Sequence, residues 1–261
     1  MGSLVAFPMR TITNLPFLVF FLCLAALWLA AEIGAHLRGR LLLQGEDHHK
    51  DFDVILGATL TLLGLIIGFS FSMVISHYDQ RKNYEENEAN AIGTEYLRAE
   101  LLPDAEAVKV RESLKEYLDE RILFYQTSAE EELKRINNQT MQLQNALWST
   151  VETTAKNNPT PTAALVISGM NDVLNSQGYA QAAWWNRLPI STWLLLMIIA
   201  MFCNTLIGYG SRRRNTPVLV ILPVVVSISF FLIADIDSPR HGLIRVVPQN
   251  LLSLRQSLPL G

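Results

Sequence analysis

Four apolar runs divide this chain: residues 16–35, 54–76, 190–210 and 217–234. A helix needs about 20 apolar residues to cross a bilayer, and each run comes close to that length or exceeds it. Between the second and third runs the pattern changes. Val110, Leu114, Tyr117, Leu118, Ile122 and Tyr125 recur at helical spacing within 104–127. Leu133, Ile136, Leu143, Leu147 and Val151 do so within 130–156, and Leu165, Val166, Met170, Val173 and Leu174 within 162–175. One apolar stripe per helix predicts an amphipathic bundle. The expected class is therefore an all-α integral membrane protein: four transmembrane helices plus a helical extramembrane bundle inserted between spans two and three. The expected division is 16–77 for transmembrane helices 1 and 2, 78–188 for the bundle, 189–234 for helices 3 and 4, and 235–261 for a C-terminal tail.

The second run passes without a break into HYDQRKNYEENEANAIGTEYLRAELL, so residues 54–102 read as one helix, half in lipid and half in water. At 1.5 Å per residue it is roughly 70 Å long. Asp53 is the expected N-cap and Pro103 the expected stop. In the lipid half Gly57, Thr61, Gly64, Gly68 and Ser72 share one face. Small residues let another helix backbone approach closely in a membrane. That face therefore either packs on a neighbouring helix or looks onto a central pore, and both hold if the protein is a homo-oligomer.

Residues 36–53 read as a polar loop; its Glu46-Asp47-His48-His49-Lys50-Asp51 cluster lacks the helical histidine pair of a metal site, so no metal or other cofactor is expected. Trp184 and Trp185 beside Arg187 read as an interfacial belt, and Pro223 should kink the fourth span. The first run reads as a retained span: it is longer than a signal-peptide core and has Glu32 near the would-be cleavage site.

Composition adds exclusions. Net charge is −3 over 261 residues, which gives no basic surface for nucleic acid. The bundle holds 11 Lys/Arg against 17 Asp/Glu, a net of −6. The only cysteines, Cys23 and Cys203, lie inside apolar runs and form no disulfide framework. There is no G-x-S-x-G, H-E-x-x-H, P-loop or G-x-G-x-x-G, so no enzyme activity is expected. Arg212-Arg213-Arg214 in the shortest loop favours a cytoplasmic position for the short loops and an external bundle.

Where spans two and four leave the membrane, opposite charges gather. His77, Asp79, Arg81 and Glu85 follow span two, and Asp235, Asp237 and Arg240 follow span four. Taken alone, the first set reads as a solvated helix face, with Arg81 and Glu85 an exposed i,i+4 pair of about 0.3–0.5 kcal/mol. Taken together, the two sets suggest a lock: Asp235 or Asp237 with Arg81 or Lys82, and Arg240 with Asp79 or Glu85.

The runs GFSFSMVISHYDQRKNYEENEANAIGTEYLRAELLP and FLIADIDSPRHGLIRV, with the four-span layout, resemble the bacterial family labelled bestrophin-like. The resemblance implies kinship with bestrophins, pentameric chloride channels whose second helices line the pore, and a cytoplasmic bundle. No acidic calcium clasp and no apolar pore neck carry over residue by residue. The expected function is a homo-oligomeric anion channel with span two facing the pore, in the bacterial cytoplasmic (inner) membrane. The alternative is a non-conducting sensor or adaptor that binds a ligand or partner through the bundle. Lipid, further copies of the chain and an inorganic anion are the expected partners.

Overall fold

The computed structural model describes residues 13–40, 46–211 and 218–259. The triple-arginine loop lies outside the described residues, as do the side chains of the Glu46–Asp51 cluster. The main helices are α1 Pro16–Arg40, α2 Glu46–Arg98, α3 Asp104–Gln126, α4 Glu130–Asn157, α5 Pro161–Trp185, α6 Ile190–Gly210, α7 Val218–Asp237 and α8 Gln249–Ser257. A 3₁₀ turn, Ala99–Leu101, separates α2 from α3. No strand occurs among the described residues. The protein is an all-α integral membrane protein with four transmembrane helices.

Several element bounds differ from those the sequence predicts. α2 starts at Glu46 rather than near Asp53. Polarity made 46–53 look like a loop, but neither glycine nor proline interrupts it, and a solvated helix tolerates charge. α5 continues through Asn175-Ser176-Gln177-Gly178 to Trp185. The Ser176 hydroxyl bonds back to the Val173 carbonyl at 2.8 Å, and Trp184 anchors the far end in the core. α7 includes Pro223 within its length. The C-terminal tail contains α8, whose nine residues are too short to show a convincing period.

The chain divides into two compact units, Met1–His77 with Arg187–Arg245, and Tyr78–Asn186 with Val246–Gly261. In the first, α1 packs on α6 and α7. Its crossing with α6 depends on two glycines: a methyl group on Gly34 would overlap the Thr205 carbonyl, and one on Gly208 the Ala31 carbonyl. Helices in lipid associate by such close approach rather than by a hydrophobic drive. At the end of this seam Arg38 donates to the carbonyls of Tyr209 and Gly210 at 3.2 and 2.7 Å, which supplies partners for the last turn of α6.

The second unit is a helical bundle with its own apolar core. The second half of α2 joins α3, α4, α5 and α8 around Ile92, Leu114, Tyr117, Leu118, Phe124, Ile136, Leu147, Val166, Met170, Val173 and Leu251. The apolar stripes read from spacing supply most of this core. Trp184 belongs to it, 5% exposed and edge-on to Phe124 and Tyr125 at 5.2 and 5.5 Å. It is therefore a core residue and not an interfacial one; Trp185 is the exposed member of the pair.

Candidate functional site

The small-residue face of α2 is the first feature to place. Gly57, Thr61, Gly64, Gly68 and Ser72 are all exposed. A methyl group added at Gly57, Gly64 or Gly68 would meet nothing within 4 Å. The Thr61 hydroxyl donates to the Gly57 carbonyl at 2.9 Å, so its hydrogen-bonding need is met inside the helix. Beside this face, Leu56 and Leu60 pack against the cluster of Ala31, Ile207 and Leu219. Leu56 and Leu60 thus pack on the chain itself, while the glycines stay uncovered among the described residues.

Beyond His77 the buried side of α2 changes chemistry. Arg81, Glu85, Glu88 and Glu95 are each no more than 1% exposed. This overturns the reading of Arg81 and Glu85 as an exposed pair on a solvated face. Spacings of four, three and seven residues keep all four on the stripe that includes Ile92 and Ala99, and tertiary packing covers that stripe. Arg81 donates from Nε to Ala183 O at 3.1 Å and from Nη2 to Asn186 O at 2.9 Å, supplying partners for the orphan carbonyls that end α5. Glu85 accepts from the Leu251 N–H at 2.9 Å and from Asn250 Nδ2 at 2.6 Å. A carboxylate over the first turn of α8 also suits the helix dipole. His77 is half-buried, while Asp79 and Lys82 are exposed.

Glu88 forms a buried ion pair with Arg121 and accepts from the Tyr125 hydroxyl at 3.1 Å. The Arg121 guanidinium lies 4.4 Å from the centre of the Phe124 ring. Burial works against the Arg121 charge, but the Glu88 carboxylate, together with Tyr117 and Tyr125, more than offsets it and holds the guanidinium above its ordinary pKa. Burial, with the Glu88 charge second, pushes the Tyr125 phenol well above its usual range. Sequence reasoning did not single out this cluster. A signal was present, because Arg121 falls between Leu118 and Ile122 on the apolar stripe of α3.

At the exit of span four the carboxylates serve the backbone. The Leu243 and Ile244 N–H groups donate to Asp235 Oδ1 and Oδ2 at 2.6 and 2.9 Å. The Leu188 N–H donates to Asp237 Oδ1 at 2.8 Å. Gly242 makes the turn possible, since a side chain there would strike the Asp235 carbonyl. Each Asp235 oxygen thus accepts a backbone amide. The folded-back turn gathers positive charge. Partial burial, then the charges of Arg187, Arg245 and Arg240, hold the His241 imidazole below its ordinary pKa. Arg187 also bonds Asn14, and Arg245 Nε donates to Gly242 O at 2.6 Å. Among the described residues no group of three or more His, Cys, Asp or Glu is placed to hold a metal.

A family model described as a bestrophin-like domain matches residues 18–251. No curated protein matches the chain. Solved structures share the fold at low identity. A crystal structure of a bacterial bestrophin homolog from Klebsiella pneumoniae aligns with TM-score 0.61 at 14% identity, over 93% of this chain and 99% of that one. A single-substitution variant of the Klebsiella pneumoniae homolog gives 0.62 at 14%, over 92% and 98%. A substituted chain described as a membrane protein gives 0.63 at 14%, over 92% and 99%.

Proposed function

We propose that this chain, which belongs to the bestrophin-like family, assembles with copies of itself into an anion-conducting pore lined by span two. Bestrophins are homo-oligomeric anion channels. One observation carries the reading for this protein: the uncovered glycine face of α2. Glycine inside a helix costs about 1 kcal/mol relative to alanine, so three on one face need a reason. The described residues do not supply one, because none of them approaches Gly57, Gly64 or Gly68. A second copy of α2, or a water-filled axis between copies, does. The arginines gathered around His241 add a positive potential at the exit of span four, and such a potential raises the local concentration of anions. A helical rather than barrel-type membrane unit suits the bacterial cytoplasmic membrane.

Native mass spectrometry of the detergent-solubilised protein tests the assembly, followed by chloride flux from proteoliposomes. A ring-forming stoichiometry with chloride flux supports the proposal; a monomer, or a ring impermeable to chloride, refutes it. The second reading, a non-conducting sensor or adaptor, draws on α2 as one 53-residue helix from lipid into the bundle. A monomer or dimer that retains a co-purifying partner on the bundle would favour it.

A further inference from the structure

We propose that Glu95 is a proton-binding site built into the bundle, a carboxyl group that seats α5 against α2 while protonated and loosens that seam when ionised. The inference does not depend on conduction.

Four charged side chains on the buried stripe of α2 are withdrawn from water, and Arg81, Glu85 and Glu88 have each been given partners above. Glu95 is 0% exposed, and neither of its oxygens has a hydrogen-bond partner. A buried polar group left unsatisfied is rare and costly, and a buried lone charge more so. The protonated acid is the form that tolerates this place. The seat is shaped for it by Gly169 on α5, where a methyl group would collide with Glu95 Oε2 and crowd the Arg98 guanidinium.

Two charges act on the group. Arg98 lies one turn further along α2, half-exposed, and Asp172 lies one turn beyond Gly169 on α5, exposed. Burial raises the Glu95 pKa most, Arg98 opposes that rise and Asp172 adds to it, which brings the carboxyl to about 8. Glu95 stands beyond the apolar stretch of α2, in the half that joins the bundle. The step is the loss of one proton to solvent, with no other reactant. The carboxylate then requires a donor, either Arg98 or entering water, and both routes displace α5 at Gly169.

The sign of the linkage follows. Between about pH 4.5 and about pH 8 the folded protein holds a proton that the unfolded chain has released. Stability therefore falls as pH rises through that window, and the loss is complete above it.

The test is hydrogen exchange of the full-length, detergent-purified protein from pH 6 to 9.5, with rates corrected for intrinsic pH dependence. Peptides covering 161–185 should lose protection about tenfold per pH unit from pH 6 upward and then level off, the break near pH 8 marking the midpoint of Glu95 ionisation, because each tenfold corresponds to one pKa unit of linkage. Glu95→Gln should abolish the transition. Asp172→Asn, a surface change that keeps the fold, should lower its midpoint, and Arg98→Gln should raise it. A transition that persists in Glu95→Gln overturns the proposal. Should that variant fail to fold, a midpoint unmoved by Asp172→Asn overturns it equally.

Discussion

The membrane unit uses glycine in two opposite ways. On α1 and α6, Gly34 and Gly208 sit where the backbones of the two helices meet, and no side chain fits at either position. On α2, Gly57, Gly64 and Gly68 look onto open space. The residues are the same and the helical environment is similar; the difference is whether the chain supplies its own partner. The first pair completes the monomer. The second set has no partner among the described residues. A small-residue strip in a sequence therefore announces a close approach without naming what approaches.

The largest effect should come from closing the first seam. Gly208→Ala forces a methyl group into the Ala31 carbonyl, where backbone and not a flexible side chain must yield. Overpacking of this kind costs roughly 1–3 kcal/mol, and the rigid neighbour puts Gly208 at the upper end. The apparent Tm in detergent should fall sharply, and Gly34→Ala should fall with it. Unchanged melting of both would erase the contrast between the two glycine sets.

A second experiment asks what covers the open face. The native thiols Cys23 and Cys203 are buried, at 3% and 0% exposure, so they add little background. Thr61→Cys and Ser72→Cys should react with a water-soluble thiol reagent in proteoliposomes, because an aqueous axis admits it. Protection at both positions would assign the face to lipid or to a packed neighbouring helix, and would remove the pore from the comparison.

The same helix shows where sequence reading succeeds and where it stops. Apolar length and stripe spacing sufficed for the spans, for Val110 to Tyr125 on α3 and for Ile136 to Val151 on α4, because burial of hydrocarbon dictates both pattern and fold. Charged positions carry no such guarantee. Arg81, Glu85 and Glu88 lie on a stripe that periodicity exposes to view, yet polarity alone assigns them to water. Their burial depends on the carbonyls of Ala183 and Asn186, the amide of Leu251 and the guanidinium of Arg121, which come from distant parts of the chain. Asp235 is similar: its partners are backbone amides of a turn that forms only because Gly242 lacks a side chain. Local pattern shows which side of a helix a residue occupies. It does not show what lies opposite, and for the glycine face of α2 the single chain does not show it either.

The smallest expected effect is also a sharp probe of that face. Gly57→Ala adds a methyl group where nothing stands within 4 Å, at the edge of the apolar stretch. With no clash, only helix propensity remains, and alanine should stabilise the monomer by about 0.5–1 kcal/mol. Melting of the solubilised protein at a concentration where it is monomeric would record a small upward shift. If the same change lowers the melting temperature only in the assembled protein, a neighbouring copy approaches Gly57 within van der Waals contact. If it raises both equally, the space beside Gly57 stays open in the assembly, as a water-filled axis requires. The sign of one methyl group's effect in the two states thus separates a packed glycine face from a pore-lining one.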